Sequence, residues 1–158
     1  MKQHKYESKI NWTGNTGSGT ENYRSYERSH QIIVENKPLI EGSSDPAFRG
    51  DAIKHNPEDF FLSSLSACHM LWYLHFCAVN HVIVEEYTDR AKGIMMEEDN
   101  GKGRFTEVTL NPNVTVKSQD MIKLAIELHK KASEYCFIAN SVSFPVKHQP
   151  TVTVKSDT

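Results

Sequence analysis

The sequence predicts an α+β fold, and three observations carry that prediction. Two segments, one running from Pro57 to about residue 80 and one over 119–136, repeat apolar residues at helical spacing. The stretches around them alternate and are rich in Val, Ile and Thr, as strands are. No repeat or linker divides the 158 residues, so the chain reads as a single domain over 1–158 with strands grouped before and between two helices.

Residues 4–12 alternate loosely up to Trp12, and "TGNTGSGTEN" follows with three glycines, a strand and then a flexible turn. That turn has neither the lysine nor the following helical period of a phosphate-binding loop. "YRSYERSHQIIVENKPLIEGSS" predicts a strand over 23–34, a tight turn at "ENKP" and a short strand over 38–42. "DPAFRGDAIKH" has turn chemistry and reads as a surface loop feeding the first helix.

That helix opens with Asn56 as cap, Pro57 at the first helical position, and Glu58 and Asp59 complementing the dipole. Phe61, Leu65, Cys68, Trp72 and Phe76 fall on one face, which Leu62, Met70, Leu71 and Leu74 widen, so the helix is expected to be central and mostly buried. From Val82 the chain alternates, with turns at "EDNGKG" and near "NPN", predicting a hairpin with a long arm. In the second helix Ile122, Ala125, Ile126, Leu128, Ala132 and Tyr135 form the apolar face. "SVSFPVKHQPTVTV" closes the chain as strand, proline turn and strand.

A net charge of −2 argues against a nucleic-acid surface. "MKQHKYESKINW" has no apolar leader-like stretch, and serines, histidines and an asparagine interrupt the longest apolar run, so a soluble, cytoplasmic protein that does not enter the membrane is expected. The three cysteines are an odd number without the spacing of a disulfide scaffold, which leaves packing, metal ligation or redox chemistry.

Cys68 has the helical phase of a small core residue, but Ser63, Ser64, Ser66 and His69 flank it. As a working thiol it needs a cation or hydrogen-bond donors to favour the thiolate, with Arg49 and His69 as candidates. Cys77 and His81 are four apart and could face one metal, yet no second pair completes a zinc set; Cys77 is expected to pack and no metal is expected. Cys136 follows Cys68 by 68 positions, and spacing alone leaves open whether the two meet.

Taken together, "HNPEDFFLSSLSACHMLWYL" and "SEYCFIANSVSFPV" resemble the family of osmotically inducible protein C and organic hydroperoxide resistance proteins (OsmC/Ohr), in the Asn-Pro-Glu opening, the cysteine ten residues after that glutamate, and a second cysteine before an aromatic and a short polar turn. The resemblance implies an OsmC-like fold, antiparallel sheets around two central helices, in an intertwined homodimer. It implies a metal-free and cofactor-free thiol peroxidase acting on organic hydroperoxides in the oxidative stress response. By this resemblance Cys68 matches the peroxidatic cysteine, Cys136 the resolving cysteine with which it forms a disulfide, and Glu58 the acidic partner. The arginine matches Arg49, with Arg24 and Arg28 as alternatives, and the reductant is a dithiol such as a lipoyl group.

On the physical side, Phe60, Phe61, Leu65, Met70 and Trp72 suit an apolar hydroperoxide. Ten helical residues separate Glu58 from Cys68 by roughly 15 Å along the axis. Either the helix breaks near its start or two subunits share the site, and the second is expected. The competing reading is a non-enzymatic dimeric ligand-binding or stress protein of the same fold.

Overall fold

The computed structural model describes residues 1–155, which group into two compact units, Met1–Phe61 and the described residues from Leu62 onward. In the first, β1 (Lys9–Trp12), β2 (His30–Ile33) and β3 (Ile40–Gly42) form an antiparallel sheet in that order. The predicted turn at "ENKP" closes with the Lys37 amide donating to the Val34 carbonyl at 3.1 Å, and Asn36 takes the left-handed φ of 61° that asparagine tolerates.

The predicted start of β2 at residue 23 is corrected to His30, and Arg28 supplies the reason. Its guanidinium donates to the Tyr26 carbonyl at 2.6 Å and the Tyr23 carbonyl at 2.8 Å, and it lies 4.1 and 4.3 Å from the centroids of those two rings. Two carbonyls that a longer strand would offer to the ladder are thereby occupied. Gly14 lets the returning chain pass, because a Cβ there would lie 1.9 Å from the Glu27 carbonyl oxygen. After β3 a single 3₁₀ turn, Pro46–Phe48, is capped by Asp45, and Arg49 follows it at a left-handed φ of 64°.

Helix α1 (Pro57–Val79) begins as predicted. Asn56 Oδ1 accepts from the Asp59 amide at 2.8 Å and Asp59 Oδ2 accepts from the Asn56 amide at 3.2 Å, a reciprocal capping box. The helix is one unbroken element, which removes the option of a break near its start.

The second unit holds most of α1, β4 (Val84–Asp89), β5 (Lys92–Glu97), β6 (Gly103–Leu110), β7 (Pro112–Val116), α2 (Ile122–Tyr135), β8 (Val146–His148) and β9 (Thr151–Val154). The predicted long hairpin after Val82 forms, β5 pairing with β6 and β4 with β7, but each arm is divided, so that its strands belong to two sheets, β4-β7-β9 and β5-β6-β8. Both arms break at one level: Asp89 Oδ1 accepts from the Asn111 amide at 2.7 Å, and Asn111 Nδ2 donates to the Arg90 carbonyl at 2.9 Å. These bonds replace ladder bonds where each arm passes from one sheet to the other. The sheets are mixed, since β8 joins β6 and β9 joins β7 in parallel. The α+β class stands, with mixed sheets in place of the expected antiparallel ones.

The core between α1, α2 and β4-β7-β9 contains Tyr73, Phe76, Cys77, Val114, Val116, Ala125, Leu128 and Ala132. The expected burial of most of α1 is corrected: its buried residues are Leu65, His69, Tyr73, Phe76 and Cys77, while Leu71 is 64% exposed. The stripe is centred one position beyond the predicted face, so Cys68 lies at its margin. In α2, Ala125, Leu128 and Ala132 are buried as predicted, but Ile126 and Tyr135 are exposed and His129 takes a core position.

Candidate functional site

Cys68 and Cys136 are brought together by the packing of α1 on α2. Cys136 is the first residue past α2, where the backbone turns from helical to extended, and it is 1% exposed; Cys68 is half-buried. Both are free thiols, and the two side chains are near enough to act on each other. Burial first, and then the neighbouring Cys68 side chain, push the Cys136 thiol up to about 11. Cys136 therefore holds its proton at neutral pH.

The turn after α2 keeps Cys136 in place. The Ala139 amide donates to Cys136 Sγ at 3.4 Å, the Asn140 amide donates to the Cys136 carbonyl at 3.0 Å, and Asn140 Nδ2 donates to the Glu134 carbonyl at 3.0 Å. The "FIANS" segment is thus a closed turn that places one N–H on the sulfur. One helical turn past Cys68, Trp72 packs against Tyr135 and Phe137 with ring centroids 5.3 and 5.5 Å away, an apolar wall that includes the immediate neighbours of Cys136.

The other apolar residues expected around Cys68 divide. Leu65 is a core residue, and Met70 lines a cavity of about 390 Å³ with Leu62, Ser66 and Asp89 that does not include Cys68. Phe60 lines an apolar groove of the first unit with Ile10, Trp12, Ile32, Ile40 and Pro57.

Among the described residues Glu58 makes no ion pair with any of the three arginines. Glu58 stands in the first turn of α1, and among the described residues the ion pairs are His55–Asp59 and Lys147–Glu107. Arg28 is committed to the loop it clamps. Arg49 is exposed and lines a small cavity of the first unit with Arg28, Ser29, Ser43 and Asp51, while Arg24 is exposed at the loop surface. Cys77 is buried, as expected of a packing residue, and burial pushes its thiol up. Among the described residues no group of three His, Cys, Asp or Glu side chains is arranged to hold a metal.

Beside the thiols lies a group that the sequence reading did not assemble. His69 Nε2 and His129 Nδ1 are 3.0 Å apart with their rings stacked, and His148 of β8 lies 5.6 Å from His69, centroid to centroid. Tyr73 stacks on the other face of His129 at 3.8 Å. The available signal was helical phase: His69 sits midway between Leu65 and Tyr73, and His129 one turn after Ala125.

A sequence model of the OsmC-like protein family matches residues 50–151. The chain belongs to the OsmC-like family. An OsmC-like protein of unknown function from Vibrio cholerae has 30% identity and a TM-score of 0.84, covering 94% of this chain and 100% of that one. The uncharacterized protein YmaD of Bacillus subtilis is 27% identical over 161 residues, 98% of this chain and 97% of its own length. The OsmC-like fold extends to an organic hydroperoxide resistance protein from Elizabethkingia anophelis, at 21% identity and a TM-score of 0.68 over 98% of this chain and all of that one.

Proposed function

We propose that this protein is a cysteine-based peroxidase that reduces organic hydroperoxides to alcohols. The observation that carries this reading is the juxtaposition of the Cys68 and Cys136 thiols. In the first step the Cys68 thiolate attacks the distal peroxide oxygen; the O–O bond breaks, Cys68 becomes a sulfenic acid, and the alkoxide leaves as the alcohol by taking up, through solvent, the proton that the Cys68 thiol had released. In the second step the Cys136 sulfur displaces the sulfenic hydroxyl, which leaves as water with the Cys136 proton, and a disulfide forms. A dithiol such as a lipoyl group then returns both cysteines to thiols by exchange.

The geometry supports these separate roles. A half-buried Cys68 can be reached, while a buried Cys136 that keeps its proton is a poor competitor for the peroxide and is already beside the sulfur it must capture. Trp72, Tyr135 and Phe137 favour an apolar substituent on the peroxide over hydrogen peroxide itself.

Glu58 and an arginine complete the site from a second copy of the chain in a cytoplasmic homodimer. Arg49 is the preferred source and Arg24 the alternative, because Arg28 already spends its donors on Tyr23 and Tyr26. The arginine favours the thiolate and binds the peroxide oxygens, and Glu58 orients it.

The test is a free-thiol titration after one equivalent of cumene hydroperoxide or hydrogen peroxide. Two thiols are lost rapidly, faster with the organic peroxide, and Cys68→Ser abolishes the loss. No loss with either peroxide would return the protein to a non-enzymatic ligand-binding role, and a monomer in sedimentation with full activity would remove the shared site.

A further inference from the structure

The imidazole stack connects the two helices that carry the thiols. His69 is the residue after Cys68 on α1, and His129 lies two turns before Cys136 on α2. The 3.0 Å contact between them is a polar tie in an otherwise apolar seam, with both rings at most 1% exposed. His129 Nε2 is buried without a hydrogen-bond partner among the described residues. A proton taken up there finds no acceptor, and one taken up at the shared contact leaves two donors facing each other across 3.0 Å.

The groups facing the stack do not compensate a positive charge. β8 contributes His148, and α1 contributes Tyr73, beyond which lie Cys77 and, on β4, Tyr87. Lys147, next to His148, pairs with Glu107 at 2.9 Å on an exposed face. Asp89 acts on Tyr87 and is held by Ser66 and Asn111. The charges acting on His69 and His129 are those of other imidazoles, all of the same sign when protonated.

We propose that His69 and His129 are positioning residues that hold Cys136 against Cys68, and that protonating them in acid separates the two helices at this point and disfavours the Cys68–Cys136 disulfide. The inference rests on the two-cysteine reading above. Burial lowers all three imidazoles from 6.5, His69 to about 4 and His129 to about 3, so the tie is intact at neutral pH and is challenged as the medium acidifies.

The test uses no peroxide. The wild-type protein is brought to equilibrium with mixtures of reduced and oxidised dithiothreitol from pH 8 to about pH 3.5. The protein S–S bond forms as the dithiane S–S bond breaks, and the two thiol protons pass to the reagent. The overall exchange neither takes up nor releases protons while all thiols are protonated, so a fall in the equilibrium constant with acid reports groups linked to the disulfide.

The expected result in the wild type is a constant that is level down to about pH 5 and then falls, by about fivefold at about pH 3.5, as the medium approaches the value of His69. His69→Gln and His129→Asn, which keep a hydrogen-bonding group at the matching ring position without titrating, flatten it. A constant that does not fall in the wild type, or falls equally in both variants, overturns the inference and leaves the peroxidase reading standing. Absence of any disulfide at pH 7.5 instead removes the resolving role of Cys136, and this inference with it. If either variant fails to fold, histidine NMR titrations of the wild type decide: His69 and His129 titrate lower in the disulfide form than in the dithiol form, and identical titrations overturn the inference.

Discussion

Asp89 holds Asn111 at the point where both arms of the long β segment change sheets, accepting the Asn111 amide on Oδ1 at 2.7 Å while its Oδ2 accepts Ser66 Oγ of α1 at 2.5 Å. One carboxylate thus ties a helix to a strand junction. Asp89→Ala removes two charge-assisted bonds and is expected to cost on the order of 2–4 kcal/mol. Urea unfolding checks this, and a loss below about 0.5 kcal/mol would show that water replaces both bonds without penalty.

Acid should destabilise the fold through the buried imidazoles. Burial places His69 near 4 and His129 near 3, below the ordinary 6.5, so the unfolded chain binds more protons between those values. The contribution is fully present above about pH 6.5 and is lost as pH falls towards the folded values. Each ring costs on the order of 2 kcal/mol between pH 6.5 and about pH 5. Urea midpoints across this range, compared with His129→Asn, measure it, and parallel curves for the two proteins would contradict it.

Tyr87→Phe is expected to be neutral or slightly stabilising, within about 1 kcal/mol. The Tyr87 hydroxyl is buried without a hydrogen-bond partner among the described residues, and burial pushes its pKa up. Thermal unfolding reads the change; a loss above about 2 kcal/mol would reveal a partner for that hydroxyl.

Arg28→Lys should loosen the 13–29 loop, because an ammonium cannot reproduce a fork that reaches two carbonyls and two rings at once. Faster amide exchange in that loop, with a loss of about 1–2 kcal/mol, is the expected readout. Arg49→Lys should leave exchange there unchanged, and a reversal of the two results would exchange their assigned roles.

The legible parts of this molecule were local. Asn56, Pro57 and Asp59 announce the start of α1 because a capping box is written within four consecutive positions, and "ENKP" announces its turn for the same reason. The shortened β2 depends on Arg28 folding back on its own loop, and the division of the hairpin depends on Asp89 meeting Asn111, 22 positions later. Neither pairing has a periodicity to read.

At the site, the resemblance names Cys68 and Cys136 and the fold brings them together. His69, expected as a cation beside Cys68, instead stacks on His129 in the core, where burial keeps it neutral; a buried histidine carries the same helical phase as a leucine, so the pairing has no signature in the sequence. The predicted face of α1 lies one position off because Cys68 and Trp72 are themselves apolar enough to pull it towards them.

The two parallel pairings of the last strands set the order in which the protein can be finished. β8 completes one sheet against Val108–Leu110 and β9 completes the other against Asn113–Val116. In each case the partners lie 38 positions apart, and the loop between them holds α2 and Cys136. Seating Cys136 is thus bound up with the two slowest kinds of contact in the molecule, parallel pairings across a long loop, and not with the quick local turns that come first.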